Sequence, residues 1–525
     1  MTRLRRVSVR DDLIVLVLAV IGVALYVTAA LRLAAAGYPL DDAWIHQTYA
    51  RNLVEHGEWA FVPGQPSSAS TAPLYTLLLA GAYLLGVSHF VWTFALGALN
   101  LSAAGWIGAR LAGYLWPDVR GAGLWTGILV ALSWHLVWAA ASGMETMLFT
   151  ALVLALVWAT WADARAAQGD LSPRQALLRG ARTGAVSAAL TLTRPEGVAL
   201  VGLAVVLCAG AAGRDAWRWR SPVVTWTAGL ALAWAAICVP AAALNWQLSG
   251  TLLPDTVAAK QAEYVPISER WSLPERYGRM VVPLVAGHLS LALPGLLLAC
   301  ASVARQVRRD RRTLIYALPL LWAALHVSAY ALRLPANYQH GRYVMPILPA
   351  LLVFGVGGTL VLVQRARRSA AGRVLSRSLA LALLLVTGGF WIIGARQYGA
   401  DVRIINTEMV VTAKWVRANL AEDDLLAVHD IGAVGYFAPR SIFDLAGLVS
   451  PEIVPLFRDG EAIMRLMCAR GVAYLMAMPD QRPVPPGDPR LGEAPIFVTG
   501  APYAPAAGGG NMAVYRLEWP AECAW

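Results

Sequence analysis

Residues 37–73 read GYPLDDAWIHQTYARNLVEHGEWAFVPGQPSSASTAP, a polar stretch between apolar runs. Two adjacent carboxylates, Asp41 and Asp42, follow the first hydrophobic segment. In the stretch after them, Ile45, Tyr49, Leu53 and Val54 recur on one helical face, with His46, Arg51 and Glu55 on the other. This pattern predicts an amphipathic helix lying flat on a membrane. Asp42 suits the N-cap of that helix, where free N–H groups and the helix dipole favour an ionised carboxylate. Acidic groups at the rim of a bilayer are costly without a partner or a task. The stretch is therefore either a capped surface helix or a working loop.

Composition selects the setting. Of 525 residues, 58% are hydrophobic and 14% charged, too apolar for an ordinary soluble protein. Several runs near twenty apolar residues are long enough to span a bilayer. The net charge of +11 does not indicate nucleic acid, because the arginines cluster between apolar runs. Segments 1–12, 110–120, 163–182, 213–220, 304–312 and 365–377 hold 23 arginines. The intervening loops before residue 396 hold five basic residues: Arg51, Lys260, Arg270, Arg276 and Arg279. Positive residues stay inside, so the arginine-rich segments are read as cytoplasmic and loops 37–73 and 248–279 as external.

On this basis, spans are expected at 13–36, 90–109, 121–141, 144–162, 222–247, 280–303, 313–333, 342–363 and 378–396. Residues 183–212, interrupted by TRPEG (193–197), are expected to form a hairpin of two short helices, giving about eleven spans. The stretch 73–86 is short for a span, and crossing there would turn Arg110 and Arg120 outward. It is expected to dip in and return. No clean cleavage site follows the first apolar run, so the N-terminus is read as cytoplasmic. From residue 397 helical and strand patterns alternate: EMVVTAKWVRANL, LLAVHD, IGAVGYF, SIFDL and VAYLMAMP. They predict an external α/β domain over 397–525, after a transmembrane module over 1–396. The stretch 480–511 reads as loop. Cys468 and Cys523 both fall in this domain, where pairing is chemically permitted, whereas Cys208, Cys238 and Cys300 read as core. Zinc-ligand spacing, a Walker loop and GxGxxG are all missing from the sequence, which argues against an ATP-driven pump.

Chemistry-bearing residues gather at the external ends of the expected spans: Glu145 in SGMET, Arg194 and Glu196 in TRPEG, Lys260 after LLPDT, and His340, Arg342 and Tyr343 in NYQHGRYVMP. Each can also serve a purely structural purpose. Glu145 can cap a helix, Arg194 and Glu196 can pair, and Arg342 can anchor at headgroups. Carboxylates and cations at one membrane face fit a site for a phosphorylated, lipid-linked substrate.

With these motifs assembled, the chain resembles the GT-C glycosyltransferases, integral-membrane enzymes that use polyprenyl-phosphate sugars. YPLDDAWIHQTYARNLVEHGEWAFVPG resembles their first external loop, with its acidic pair. ASGMET, LTRPEG, GTLLPDTVAAK, GRYVMPILP and HDIGAVGYFAPRSIFDLAGLVSPE resemble the mycobacterial-type arabinofuranosyltransferase branch. SSASTAPLYTLLLAG departs from the bulkier version of relatives at Ser70-Thr71-Ala72-Pro73 and Tyr75, beside the expected sugar site.

The resemblance implies a polytopic helical GT-C fold in a bacterial plasma membrane. It further implies inverting transfer of a sugar, a pentose such as arabinofuranose in this branch, to a glycan or other envelope acceptor. Asp41 is then the base that takes the acceptor proton. Asp42 positions the acceptor or holds a divalent cation (Mg, Mn or Ca). Arg342, Lys260 and Arg194, in that order, neutralise the phosphate leaving group, and Glu145 is a further metal or sugar contact. Glu196, His340 and Tyr343 join them as candidate substrate contacts. HDIGAVGYF either supplies His429 and Asp430 to the mouth of the site or is a strand–turn–helix packing motif; packing is the preferred reading. The rival class is a transporter or flippase of lipid-linked sugars, but no internal repeat is found. The sequence is also compatible with a non-catalytic envelope scaffold and with a protein or lipid mannosyltransferase of the same superfamily.

Overall fold

A computed structural model describes residues 8–169, 171–213, 221–252, 254–336, 338–520 and 523. Residues 1–7 and 214–220, which belong to two of the basic segments above, lie outside the described residues.

The first half is helical. It comprises α1 (Val9–Leu33), α2 (Asp42–Glu55), α3 (Pro73–Leu84), α4 (His89–Leu115), α5 (Ala122–Ala131), α6 (Trp134–Ala141), α7 (Thr146–Ala166), α8 (Pro173–Thr193), α9 (Gly197–Ala212) and α10 (Pro222–Ser249). A short hairpin, β1 (Ala60–Val62) with β2 (Gln65–Pro66), lies between α2 and α3. There follow α11 (Asp255–Glu263), α12 (Val265–Arg270), α13 (Leu273–Val285), α14 (Leu289–Arg309), α15 (Leu318–Arg333), α16 (Tyr338–Gly341), α17 (Leu348–Ala366) and α18 (Ala370–Ile405). Local chemistry explains several starts. Ser8 with Asp11 and Ser172 with Gln175 form capping boxes, and Pro173 and Pro222 occupy first-turn positions where a missing N–H costs nothing.

Among the described residues, eight helical units are long and apolar enough to cross a membrane, and the α5–α6 pair, bent by 51°, makes a ninth. The other two expected segments, α8 and α9, do form the hairpin around Arg194–Glu196. They fall short of that standard because the first half of α8 carries Arg174, Arg179 and Arg182, and α9 has 16 residues. The segment expected at 280–303 is broken between α13 and α14, at Ala286–His288, where Gly287 has φ 150°. At 12 residues α3 is about 18 Å long, well short of a ~30 Å hydrocarbon core.

The expected boundary at 396 is not a break, since α18 runs through it and continues by a π-turn (Asn406–Val410) into α19 (Val411–Asn419). The C-terminal unit then alternates β3 (Leu426–Val428), α20 (Ile431–Phe437), β4 (Ile442–Asp444), α21 (Gly460–Ala469), β5 (Tyr474–Ala477), β6 (Phe497–Val498), α22 (Tyr503–Ala506) and β7 (Ala513–Arg516). Its sheet has the order β4-β3-β5-β7-β6, parallel across the first three strands and antiparallel beyond. The helix and the three strands expected between 425 and 478 all form, and Cys468 is bonded to Cys523. The stretch read as loop contains β6 and α22, and Glu408, fully buried, ties it down by accepting from Thr499, Asn511 and the Met512 N–H.

Candidate functional site

Much of the loop at 37–73 is enclosed by protein, with residues 55–57 and 63–66 exposed. Nine of the fourteen residues of α2 are buried, including the polar His46, Gln47, Thr48 and Asn52. The flat amphipathic surface helix is thus corrected: α2 is wedged between the helical bundle and the C-terminal unit. Its polar residues are paired, Gln47 with Tyr38, Thr93 and Tyr83, and Asn52 with the carbonyls of Ala60 and Phe61. The capping expectation is also corrected. Asp41 occupies the cap position, Asp42 is the first helical residue, and Asp41 makes no side-chain cap bond to α2.

The two carboxylates instead reach different partners, since consecutive helical residues point about 100° apart. Asp41 Oδ2 accepts from the Gly432 N–H at 2.6 Å and Oδ1 from the Ala433 N–H at 2.8 Å, at the start of α20. A Cβ at Gly432 would sit 2.0 Å from the Asp41 carbonyl oxygen, so this approach requires glycine. Arg51 fastens the same helix by donating to the carbonyls of Tyr436 and Gly435.

Asp42 lines a cavity of about 330 Å³, together with His46, Thr71, Glu145, Arg194, Glu196, Lys260, Tyr330, Arg342, Tyr343 and Leu448 among others. Seven candidates spread over three hundred residues of sequence therefore share one chamber, built where α2, α7, α9, α11 and α15 begin or end. Arg342 Nη2 donates to Asp42 Oδ2 at 2.8 Å and to the Tyr343 hydroxyl at 2.9 Å, while its Nε and Nη1 are buried with no hydrogen-bond partner among the described residues. Arg194 is fully engaged. It donates to Glu145 and Glu196, both at 2.6 Å, and to the Tyr330 hydroxyl at 2.7 Å. Tyr330 in turn donates to Glu196 at 2.6 Å. Lys260 Nζ lies 3.2 Å from Glu263.

These surroundings drive the two aspartates apart. Burial and then the neighbouring Asp430 carboxylate push Asp41 up to about 8, against the lowering by its two N–H donors. Burial also raises Asp42, but Arg342 and Lys260 outweigh it and hold the carboxyl at about 2. Lys260 is lowered by burial yet ends well above its ordinary value through Asp42 and Glu263.

Asp41, His340, His429 and Asp430 are not on the cavity wall. His340 lies in a left-handed turn, with φ 54° at Gln339, 61° at His340 and 73° at Gly341. That turn sends Arg342 into the cavity and His340 toward Asp401, at 2.9 Å, between the rings of Trp134 and Trp138. His340 is therefore paired with Asp401 rather than with the residues around Asp42. His429 and Asp430 precede α20 and bond each other at 3.3 Å, with Asp430 also accepting from Gln481 at 2.7 Å. Burial lowers the His429 imidazole, but Asp430 outweighs it and brings it to about 9. The motif provides the N–H groups of Gly432 and Ala433 that hold Asp41.

The wall residues that sequence reasoning missed include His46, Tyr330 and Arg333. His46 Nε2 is 3.5 Å from Glu145 Oε2, and its place four residues after Asp42, on the same helical face, was an available signal. Tyr330 lies in an apolar span and carries no such signal. Among the described residues no group of three His, Cys, Asp or Glu is arranged to hold a metal ion. Asp42 faces two cations, so this donor set does not fit a resident Mg, Mn or Ca ion.

The helical bundle with its C-terminal sheet unit is the GT-C fold. ArnT from Cupriavidus metallidurans, solved bound to undecaprenyl phosphate, matches with a TM-score of 0.60 at 15% identity, covering 97% of this chain and 98% of that one. The oligosaccharyltransferase of Archaeoglobus fulgidus, tethered to an acceptor peptide containing the NVT sequon, matches with a TM-score of 0.62 at 13% identity, over 89% of this chain and 69% of that one. The same organism's AglB, in complex with an inhibitory peptide and a dolichol phosphate, gives 0.59 at 12% identity, over 90% and 70%. Residues 394–515 match the profile of a domain of unknown function, DUF8728. A search of curated protein sequences returns no match.

Proposed function

We propose that the chain transfers a sugar, a pentose such as arabinofuranose, from a polyprenyl-phosphate donor to a hydroxyl of a glycan or other envelope acceptor. Transfer takes place on the outer face of the plasma membrane, with the C-terminal unit outside and the N-terminus in the cytoplasm. The observation that carries this reading is the division of labour between adjacent carboxylates. Asp42 is ionised beside Arg342 and Lys260 in the cavity, and Asp41 has a raised pKa on the side of the C-terminal unit. Groups whose environments separate their pKa values in this way are suited to different roles.

The free Nε and Nη1 of Arg342, with Lys260, suit the phosphate that leaves with the lipid. Asp42 holds Arg342 in place and offsets its charge before donor arrives. Arg194 is already neutralised by two carboxylates, so it braces Glu145 and Glu196 at the cavity wall rather than meeting phosphate. Asp41 accepts the acceptor proton, since an alcohol is far too weak an acid to ionise unaided. The solved structures of this fold with a lipid phosphate or an acceptor peptide support the substrate classes.

The test is transfer by purified, detergent-solubilised protein from a panel of radiolabelled polyprenyl-phosphate pentoses and hexoses, with and without chelator. Transfer from one donor that disappears in Asp41→Asn and survives chelation is expected. Donor binding without transfer from any sugar, indifferent to Asp41, would instead favour a carrier of lipid-linked sugars.

A further inference from the structure

A second cavity, of about 290 Å³, lies at the other ends of the helices that frame the Asp42 chamber. Along α7, Glu145 faces the first cavity and Asp163 the second, and eighteen residues of helix separate them by about 27 Å, close to a bilayer's hydrocarbon thickness. Two of the basic segments of the sequence, 163–182 and 304–312, meet here. Arg179, Arg311 and Arg312 line the cavity, and Asp163 is its only acidic lining residue among the described residues. Asp163 is 4% exposed and already saturated. It accepts from Arg182 at 2.9 Å, Arg179 at 3.3 Å, the Thr183 hydroxyl at 2.7 Å and the Trp226 indole at 3.0 Å.

Two cations are left over. Arg311 donates to the carbonyl of Ala212, and neither it nor Arg312 forms an ion pair among the described residues. The 28-residue α10 also starts at the cavity, with Ser221, Pro222 and Val223 on its wall, so the positive end of its dipole adds to theirs. Apart from Gln168, the remaining wall is mostly apolar, with Ala164, Leu171 and Ala176 among its residues. An oxyanion fits the arginines, and the apolar wall at bilayer depth fits the glycerol and upper acyl segments of the same molecule. We propose that this cavity is a binding site for a phosphate ester, the headgroup of an anionic phospholipid in the leaflet opposite the Asp42 chamber. Residues 214–220 take no part in the proposal, which is also independent of the transferase reading.

The test is native mass spectrometry of the delipidated full chain in detergent, titrated with phosphatidylglycerol, phosphatidylcholine or inorganic phosphate. Saturable binding of one phosphatidylglycerol is expected, with affinity falling about thirtyfold in Arg311→Gln/Arg312→Gln. Arg312→Lys, which keeps the charge, should retain most of it. Arg365→Gln/Arg368→Gln, in another exposed basic cluster, should bind like the parent. Failure of inorganic phosphate to displace the lipid identifies the whole headgroup as ligand. Binding of inorganic phosphate with no lipid bound would overturn the lipid assignment. Equal binding of phosphatidylcholine, or equal loss in both double variants, would overturn the site itself.

Discussion

Replacing Asp42 by Asn should cost more stability than replacing its partner Arg342 by Gln, although each breaks the same 2.8 Å ion pair. The asymmetry follows from what is left behind. The Arg342 side chain is 5% exposed and already has two buried nitrogens without partners among the described residues, whereas the Asp42 side chain is 32% exposed on the cavity wall. Asp42→Asn strands a buried guanidinium with Lys260 on the same wall. Arg342→Gln leaves a partly hydrated carboxylate that still has Lys260. Holding Asp42 at about 2 rather than 3.8 corresponds to roughly 2.5 kcal/mol at one pKa unit per ~1.4 kcal/mol. Because a third of the group is exposed, screening reduces the pair's contribution to about 1–2 kcal/mol. Arg342→Gln should cost about that, and Asp42→Asn about 2–3 kcal/mol, below the ~3–5 kcal/mol of a fully buried broken pair. The double variant should resemble Asp42→Asn alone, a coupling of about 1–2 kcal/mol. Denaturant titration of the four proteins in one detergent, followed by tryptophan fluorescence, measures the cycle. Additive single variants, or an Arg342→Gln protein less stable than Asp42→Asn, would refute the argument.

Other expectations follow from the same contacts. In Gly432→Ala the new Cβ would lie 2.0 Å from the Asp41 carbonyl oxygen, so α20 and Asp41 must separate. Transfer should drop about a hundredfold with the fold retained, and near-parental kcat would sink the idea that this contact positions Asp41. If Asp41 is the base, log kcat/KM should rise with pH until the carboxyl ionises, near its raised value of about 8. Asp430→Asn removes a neighbouring negative charge, so that limb should move to lower pH; a limb moving upward contradicts the assignment. The Cys468–Cys523 bond closes a separation of 55 residues, so Cys468→Ser should destabilise the C-terminal unit by about 2–4 kcal/mol, seen as faster limited proteolysis after residue 420.

Much of this architecture could be read from the sequence because the bilayer imposes a single, long-wavelength pattern. Runs such as 13–36 and 222–247 show hydropathy that no soluble context would produce, and the strands at 426–428, 442–444 and 474–477 are short apolar runs between turn signals. Seven of the eleven candidate residues met in one cavity for a related reason. Polar residues at span ends on one membrane face are confined to a thin layer before any packing is known. Side-chain direction was less legible. His340 and Arg342 are two residues apart in one motif, yet the left-handed backbone at 339–341 turns one toward Asp401 and the other into the cavity. The burial of α2 was hidden because its outer cover, α20, begins 389 residues after Asp42, and no local periodicity encodes so distant a partner.

The distance between those partners in the chain bears on why the two carboxylates are adjacent. A single aspartate at the start of α2 could pair with the cavity cations or hold the C-terminal unit, but not both. With Asp41 and Asp42 on successive helical positions, one rigid helix start fixes Arg342 on one side and the N–H groups of Gly432 and Ala433 on the other. The relative position of the cavity and the C-terminal unit is then set by one peptide unit, about 3.8 Å between Cα atoms, rather than by the long route through α18. The same arrangement keeps the two groups chemically distinct: cations stabilise the ionised form of Asp42, while burial and Asp430 favour the protonated form of Asp41. Interchanging their surroundings would leave the motif DD intact and remove the difference in proton affinity on which the proposed chemistry rests.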